Sequence, residues 1–260
     1  MIINFKNKNI LFLGSAGLIG KAVCKELAKS QANMLLVDVN PQNIKFSKEL
    51  KIKYRKQNII GAALDVSSEK NVIAIHELIK KKFDGKIHGL VHCIHYRSND
   101  FFNNIADIKI EELEKIFSVN VFSIFLLFKH LHSCFIKAGG ASVVNFSSTF
   151  ALVSPNFSIY EGTDLGSPAP YTATKGALHS LTRYLACYYA KENIRVNSIT
   201  PHAVANNHDK RFVKQFSKLS PLGRLSEADE VAPAVLFLLS QKSSYITGAN
   251  LKIDGGWTAW

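Results

Sequence analysis

The stretch Ile10-Leu11-Phe12-Leu13-Gly14-Ser15-Ala16-Gly17-Leu18-Ile19-Gly20 passes from an apolar run into a turn with glycine at every third position, then into a segment of helical periodicity, Leu18–Lys29. Glycines at such a turn let the backbone bend sharply, approach a pyrophosphate and pack helix against strand. The helix N-terminus adds N–H donors and partial positive charge. The motif alone is a weak signal, and its surroundings strengthen it. Strand-type apolar runs recur at Ile10–Leu13, Met34–Val37, Ile59–Leu64, Ile87–Cys93, Ser142–Phe146, Arg195–Ile199 and Asn250–Ile253. Between most of them lie helical patterns: Leu18–Lys29, Glu69–Lys82, Leu113–Ile136, Tyr171–Ala190 and Glu227–Leu239. Strands alternating with helices predict an α/β fold, a doubly wound parallel sheet with helices on both faces. Ligands of such a sheet sit beyond the carboxyl ends of the strands, where the strand order reverses. Residues at those ends are therefore read for function.

Asp38 ends the second run. A carboxylate there accepts both ribose hydroxyls of NAD and repels a 2′-phosphate, which favours NAD over NADP; the plainer reading is an acid capping a strand end. Asp65, followed by Val66, ends the third run and is placed to reach an adenine; the plainer reading is a cap for the helix that starts near Ser68. The nucleotide contacts read from this half are Gly14, Ser15, Gly17, Leu18, Ile19, Gly20, Asp38, Asp65 and Val66.

The chain has 260 residues, 47% of them hydrophobic, enough to bury a sizeable core; one domain spanning 1–260 is expected. The longest apolar stretch, around Val119 to Phe128, contains Asn120 and Ser123 and precedes Lys129; a buried helix is expected there rather than a membrane span. The Asn- and Lys-rich start does not resemble a secretory signal, so a cytoplasmic location is expected. Cys24, Cys93, Cys134 and Cys187 are far apart and form no Cys-x-x-Cys pair, which argues for reduced thiols and against a zinc ribbon. The net charge of +12 lies in short lysine runs, Lys51 to Lys56 and Lys80 to Lys82, with no stripe interleaved with aromatics. That pattern reads as solvated surface; it also attracts an anionic substrate, and it gives little support to a nucleic-acid partner.

The chemistry is read from Tyr171-Thr172-Ala173-Thr174-Lys175, which puts a phenol and an ammonium on one face of a helix. Reducing a carbonyl requires a proton donor beside its oxygen while hydride arrives at carbon. A free tyrosine titrates near 10, and bringing it to neutrality takes on the order of 4 kcal/mol of preferential phenolate stabilisation. A nearby buried lysine and a cationic nicotinamide are suited to supply it. Ser148, ending the fifth run, is placed to bond the substrate oxygen, or is a satisfied turn hydroxyl. Asn120, inside an apolar helix, needs a polar partner wherever it is buried.

With these residues in place, the chain resembles the short-chain dehydrogenase/reductase family over essentially its whole length. The fingerprints run in order: the turn Gly14 to Gly20, Asp65-Val66, Asn120, Ser148, Tyr171 with Lys175, Arg195-Val196-Asn197-Ser198-Ile199, Pro221-Leu222-Gly223-Arg224, Tyr245-Ile246-Thr247-Gly248-Ala249-Asn250 and Asp254-Gly255-Gly256. The resemblance implies a single-domain Rossmann fold with a seven-stranded sheet and a catalytic tetrad of Asn120, Ser148, Tyr171 and Lys175. In that tetrad the asparagine holds a water that relays protons through the lysine. Tyr171, Lys175 and Pro201 then join the cofactor contacts, and Lys175 bonds the nicotinamide ribose. It also implies a homodimer or homotetramer, in keeping with the apolar helices Leu113–Ile136 and Leu178–Ala190.

The chain departs from the family pattern at three places. Leu13 stands where threonine is usual, His92-Cys93-Ile94-His95 where Asn-Asn-Ala-Gly is usual, and Pro201-His202 where Pro-Gly is usual. A histidine in place of glycine either crowds the cofactor or adds a donor for an anionic substrate. Metal binding by His92, Cys93, His95 and His202 is not expected, since no standard ligand spacing appears. The segment Thr149 to Pro170 is longer than usual, and with the glycine turn it resembles a subgroup of flagellin-modification or legionaminic-acid-pathway oxidoreductases. Within it Tyr160, Glu161 and Thr163 are expected, with Ser148 and His202, to contact a sugar or amino-sugar derivative. The competing readings are a cofactor-binding protein of this fold with little or no turnover, and, on charge alone, a nucleic-acid-binding module.

Overall fold

The computed structural model describes residues 3–97 and 105–260. Seven strands form one parallel sheet: β1 (Asn9–Leu13), β2 (Asn33–Asp38), β3 (Ile59–Ala63), β4 (Gly89–His92), β5 (Ala141–Phe146), β6 (Ile194–Pro201) and β7 (Asn250–Ile253), in the order β3-β2-β1-β4-β5-β6-β7. Parallel strands covered on both faces read as continuous apolar runs, which is why the strands are visible in the sequence. Alternate residues feed two cores. Leu11, Leu13, Leu35, Val37, Leu90 and Val143 join one, and Ile10, Phe12, Met34, Leu36, Val91 and Val144 the other.

The first core is closed by α3 (Glu69–Lys82), α5 (Ser123–Lys137) and α6 (Ala169–Tyr188), the second by α1 (Leu18–Lys29), α2 (Gln42–Lys53) and α8 (Ala232–Leu239). The chain winds outward from β1 to β3, then crosses back to place β4 on β1's other side. The strand order reverses there, opening a crevice above the carboxyl ends of β1 and β4.

Three elements differ from the sequence reading. The helical run expected over Leu113–Ile136 is α4 (Ile110–Phe117), a π-helical turn (Ser118–Phe122) and α5. Across Ile110–Lys137 it is long and apolar enough, by composition, to span a membrane, a test that buried core helices also pass; half of its most apolar window is buried and its inner face joins the first core, in keeping with the buried helix expected from sequence. The helices α2 and α7 (Lys210–Leu219) fall outside the set read from periodicity. In α2 the buried positions are Asn43, Phe46, Ser47 and Leu50, so half of its inner face is polar. The Phe212 and Phe216 side chains of α7 form a third, small core with Ile159, Leu225 and Trp257, which fastens the 149–170 segment to the C-terminal end of the chain.

Candidate active site

The glycines of the first turn do different work. Gly14 has φ of +83°, and a Cβ there would lie 2.1 Å from the Cys93 carbonyl oxygen. A Cβ on Gly20 would meet the Gly14 carbonyl at the same distance, so both are required for the strands and helix to approach. Gly17 is under no such constraint: its nearest neighbour would be 3.5 Å away. It is the N-cap of α1, no side chain satisfies that helix end, and Gly17, Leu18, Ile19 and Gly20 line a cavity of about 630 Å³. A bare helix N-terminus opening on such a space fits the diphosphate of a dinucleotide. Ser15 turns its side chain inward, to the Asn43 side-chain oxygen at 2.8 Å and the Val37 carbonyl at 3.3 Å, so only its backbone remains for a ligand.

A second space of about 440 Å³, adjoining the first along Gly14, Gly17, Cys93, Ile94 and His95, holds Asp38, Asp65 and Val66. Asp38 accepts the Ala16 N–H at 2.8 Å and the Asn40 N–H at 2.9 Å, fixing its carboxylate at the edge of the turn. Burial alone would raise the Asp65 carboxyl, but the Ser67 hydroxyl and N–H and the Lys115 ammonium outweigh it and hold the group below its ordinary value. The Lys115 ammonium also lies 6.0 Å from the centre of the Tyr96 ring, and both residues line this space. Neither was singled out from sequence, because nothing in their spacing ties them to Asp65.

Ser148, Tyr171, Lys175 and Pro201 face the larger cavity. Tyr171 and Lys175 stand one turn apart at the start of α6, where Pro170 in the first turn lacks an N–H that the helix would leave unpaired. The Lys175 ammonium is buried; it donates to the Phe146 carbonyl at 2.7 Å and lies 5.6 Å from the Tyr171 ring centre. Burial lowers it to about 8, against a small opposing effect of Cys93. The Tyr171 phenol is raised by burial, with the hydrogen bond to Ser148 acting the other way. Asn120 sits in the π-turn, accepts the Tyr96 N–H at 3.0 Å and donates to Thr174 Oγ at 3.2 Å, immediately before Lys175.

The far wall corrects part of the sequence reading. Tyr160 lines the cavity, with its ring stacked on Phe212. Glu161 and Thr163 do not line it. Glu161 is exposed, its carbonyl takes the Gln215 side-chain amide at 3.2 Å, and the Thr163 hydroxyl is spent within the loop on the Tyr160 carbonyl at 2.8 Å. The loop is pinned outward by α7, an element the periodicity reading lacked. The wall is instead built from the apolar Phe150, Ile159, Leu165, Phe212 and Phe216, with Asn206, Asn207, His208 and Asp209 beside them. His202 borders the cavity, yet its Nδ1 bonds the Thr149 hydroxyl at 2.6 Å and its ring packs on Trp257 and Phe216 at 4.5 and 4.9 Å between ring centres. His95 lies edge-on to Tyr171, 4.8 Å between centres, where the two spaces join. Among the described residues no group of three His, Cys, Asp or Glu side chains is arranged to hold a metal ion.

A family model described as enoyl-(acyl carrier protein) reductase matches residues 14–258. The chain belongs to the short-chain dehydrogenase/reductase family. It is 33% identical to L-xylulose reductase of Caenorhabditis elegans over 98% of this chain and 97% of that one. To post-translational flagellin modification protein A of Campylobacter coli it is 26% identical, over 97% and 98%. A short-chain dehydrogenase of Leptospira borgpetersenii, solved with bound NAD+, superposes with a TM-score of 0.86 at 26% identity, covering 98% of this chain and 94% of that one. This short-chain dehydrogenase/reductase is an oxidoreductase with a nicotinamide cofactor.

Proposed function

We propose that the chain transfers hydride between NAD(H) and a carbonyl or secondary alcohol of a sugar or amino-sugar derivative, within one domain over 1–260 that carries both sites. The observation that carries this reading is the convergence of Tyr171, Ser148 and Lys175 on one cavity continuous with the glycine turn. Bound nicotinamide supplies the hydride donor or acceptor and, when oxidised, a positive charge beside the phenol. Tyr171 gives a proton to, or takes it from, the substrate oxygen, and Ser148, already bonded to that phenol, orients the same oxygen. Lys175, with a pKa near working pH, passes protons onward and bonds the nicotinamide ribose; Asn120 stands behind it through Thr174. Asp38 favours NAD over NADP.

The polyol or sugar class draws on the names of L-xylulose reductase and flagellin modification protein A. The aromatic faces of Phe150, Tyr160 and Phe212 suit the carbon face of a sugar ring, and Arg97 and His95 at the cavity suit an anionic group on it. A fold that binds nucleotide without turnover fits less well, because burying the Lys175 ammonium is costly and such a protein has no use for it.

The test is steady-state turnover with NAD+ and NADH on polyols, ketoses and amino-sugar derivatives, wild type against Tyr171→Phe. The variant is expected to bind NADH normally and to lose roughly 100-fold or more in kcat. A Tyr171→Phe rate near wild type removes the phenol from the reaction.

A further inference from the structure

Behind the catalytic face runs a column of buried polar side chains that hydride transfer does not itself use. His92, Ser123, Asn120 and Thr174 are all fully buried. His92 ends β4 and points into the layer that Leu90, two residues earlier, fills with hydrocarbon. Its Nε2 lies 2.9 Å from Ser123 Oγ, and that hydroxyl reaches the Val119 carbonyl at 2.6 Å. A serine hydroxyl has one proton, and here it goes to Val119; the His92 bond must therefore be donated by the ring, with its proton on Nε2.

The Val119 carbonyl belongs to the π-turn Ser118–Phe122. Such a turn is rare, and strained backbone persists only where its surroundings over-determine it. A serine bonded back to the carbonyl four residues earlier itself loosens a helix. The turn carries Asn120, whose amide donates to Thr174, and the Thr174 hydroxyl donates to the Tyr171 carbonyl at 2.9 Å.

We propose that His92 is a positioning residue for Asn120: through Ser123 its imidazole holds the π-turn in the register that delivers the Asn120 amide to Thr174 on the catalytic helix. Burial, and after it the Lys175 charge, push the ring down to about 3, so it stays a neutral donor across working pH. An apolar residue would fill the same space without holding the turn. The inference rests on the proposed part of Asn120 in proton transfer.

The experiment compares His92→Phe, Ser123→Ala, Asn120→Ala and the double variant His92→Phe/Asn120→Ala. It reads kcat and KM on the panel substrate of highest turnover, NADH affinity, and amide exchange across 118–122. His92→Phe and Ser123→Ala are each expected to lower kcat roughly 10- to 100-fold with KM and NADH affinity within about twofold, and to speed exchange in the π-turn. On the Asn120→Ala background, His92→Phe should add nothing. Additive losses, or unchanged exchange, overturn the proposal. Wild-type kcat in Asn120→Ala, with fast exchange in His92→Phe, instead leaves the brace standing and removes Asn120 from the reaction. Should His92→Phe not fold, Ser123→Ala breaks the same bonds with little change in volume and decides the matter.

Discussion

Lys175 is a charge held where charge is least welcome, and the protein's stability should register it. Its pKa of about 8 lies below the roughly 10.4 of a lysine in an unfolded chain. Between those values the unfolded chain binds more protons, so stability climbs as pH rises through the window; below about 8 both states are protonated and the full penalty stands. The penalty is on the order of 3 kcal/mol, and losing the Phe146 bond offsets about 1 kcal/mol of its removal. Lys175→Met should abolish turnover yet unfold at higher temperature than wild type at pH 7, the gap closing as pH approaches 10.5. A lower melting temperature at pH 7 would mean that Lys175 stabilises the fold. Asp38 bears on the cofactor: calorimetric titration should find NADH bound at least about tenfold more tightly than NADPH, and equal affinities would reduce Asp38 to a strand-end cap. Tyr171, Lys175 and Ser148 were legible in sequence because their elements fix their directions, a shared helix face and a strand end. Glu161 and Thr163 were not, because a loop's side chains take their direction from what the loop packs on, here α7.

Among elements, the turn from β1 into α1 separates folding from binding within one motif. Gly14→Ala combines positive φ with a Cβ 2.1 Å from the Cys93 carbonyl and should cost on the order of 3 kcal/mol or more, visible as a large drop in melting temperature. Gly17→Ala meets nothing closer than 3.5 Å, so its stability loss should stay under about 1 kcal/mol. Its methyl would stand in the space lined by the turn, and NADH affinity should fall at least about tenfold. Unchanged NADH affinity in a folded Gly17→Ala protein would move the diphosphate elsewhere. The π-turn marks the limit of periodicity at this scale: one residue added to a helical turn leaves the apolar pattern of α4 and α5 nearly intact. It still redirects Asn120.

At the scale of the molecule, lysines and exposed aromatic rings each mark particular stretches of the helices. Lysines crowd the last turns of the crossover helices: Lys29 on α1, Lys51 and Lys53 on α2, Lys80, Lys81 and Lys82 on α3, and Lys137 on α5. Helices linking parallel strands all end at the edge opposite the crevice, and cations there complement the negative ends of their dipoles. Large exposed aromatic rings also stand on α5, the adjoining π-turn and α6. Phe122 and Phe125 are 53% and 54% exposed, and Tyr184 and Tyr188, stacked on each other, 62% and 65%. The stacking of Phe128 on Tyr189 joins the two helices, so these rings belong to neighbouring elements. Four large exposed aromatics on these elements are candidates for a contact surface, since a monomer rarely leaves large apolar patches in water. A second copy meeting it about a twofold axis would bury the same residues on both sides. Sedimentation at micromolar concentration should therefore give a mass of at least twice 28.9 kDa. The pair Phe125→Glu and Tyr188→Glu should shift that mass to the monomer, since each places a carboxylate in the buried centre of the contact. A wild-type mass of 28.9 kDa, or a double variant that stays assembled, would put the contact elsewhere and leave these rings to another partner.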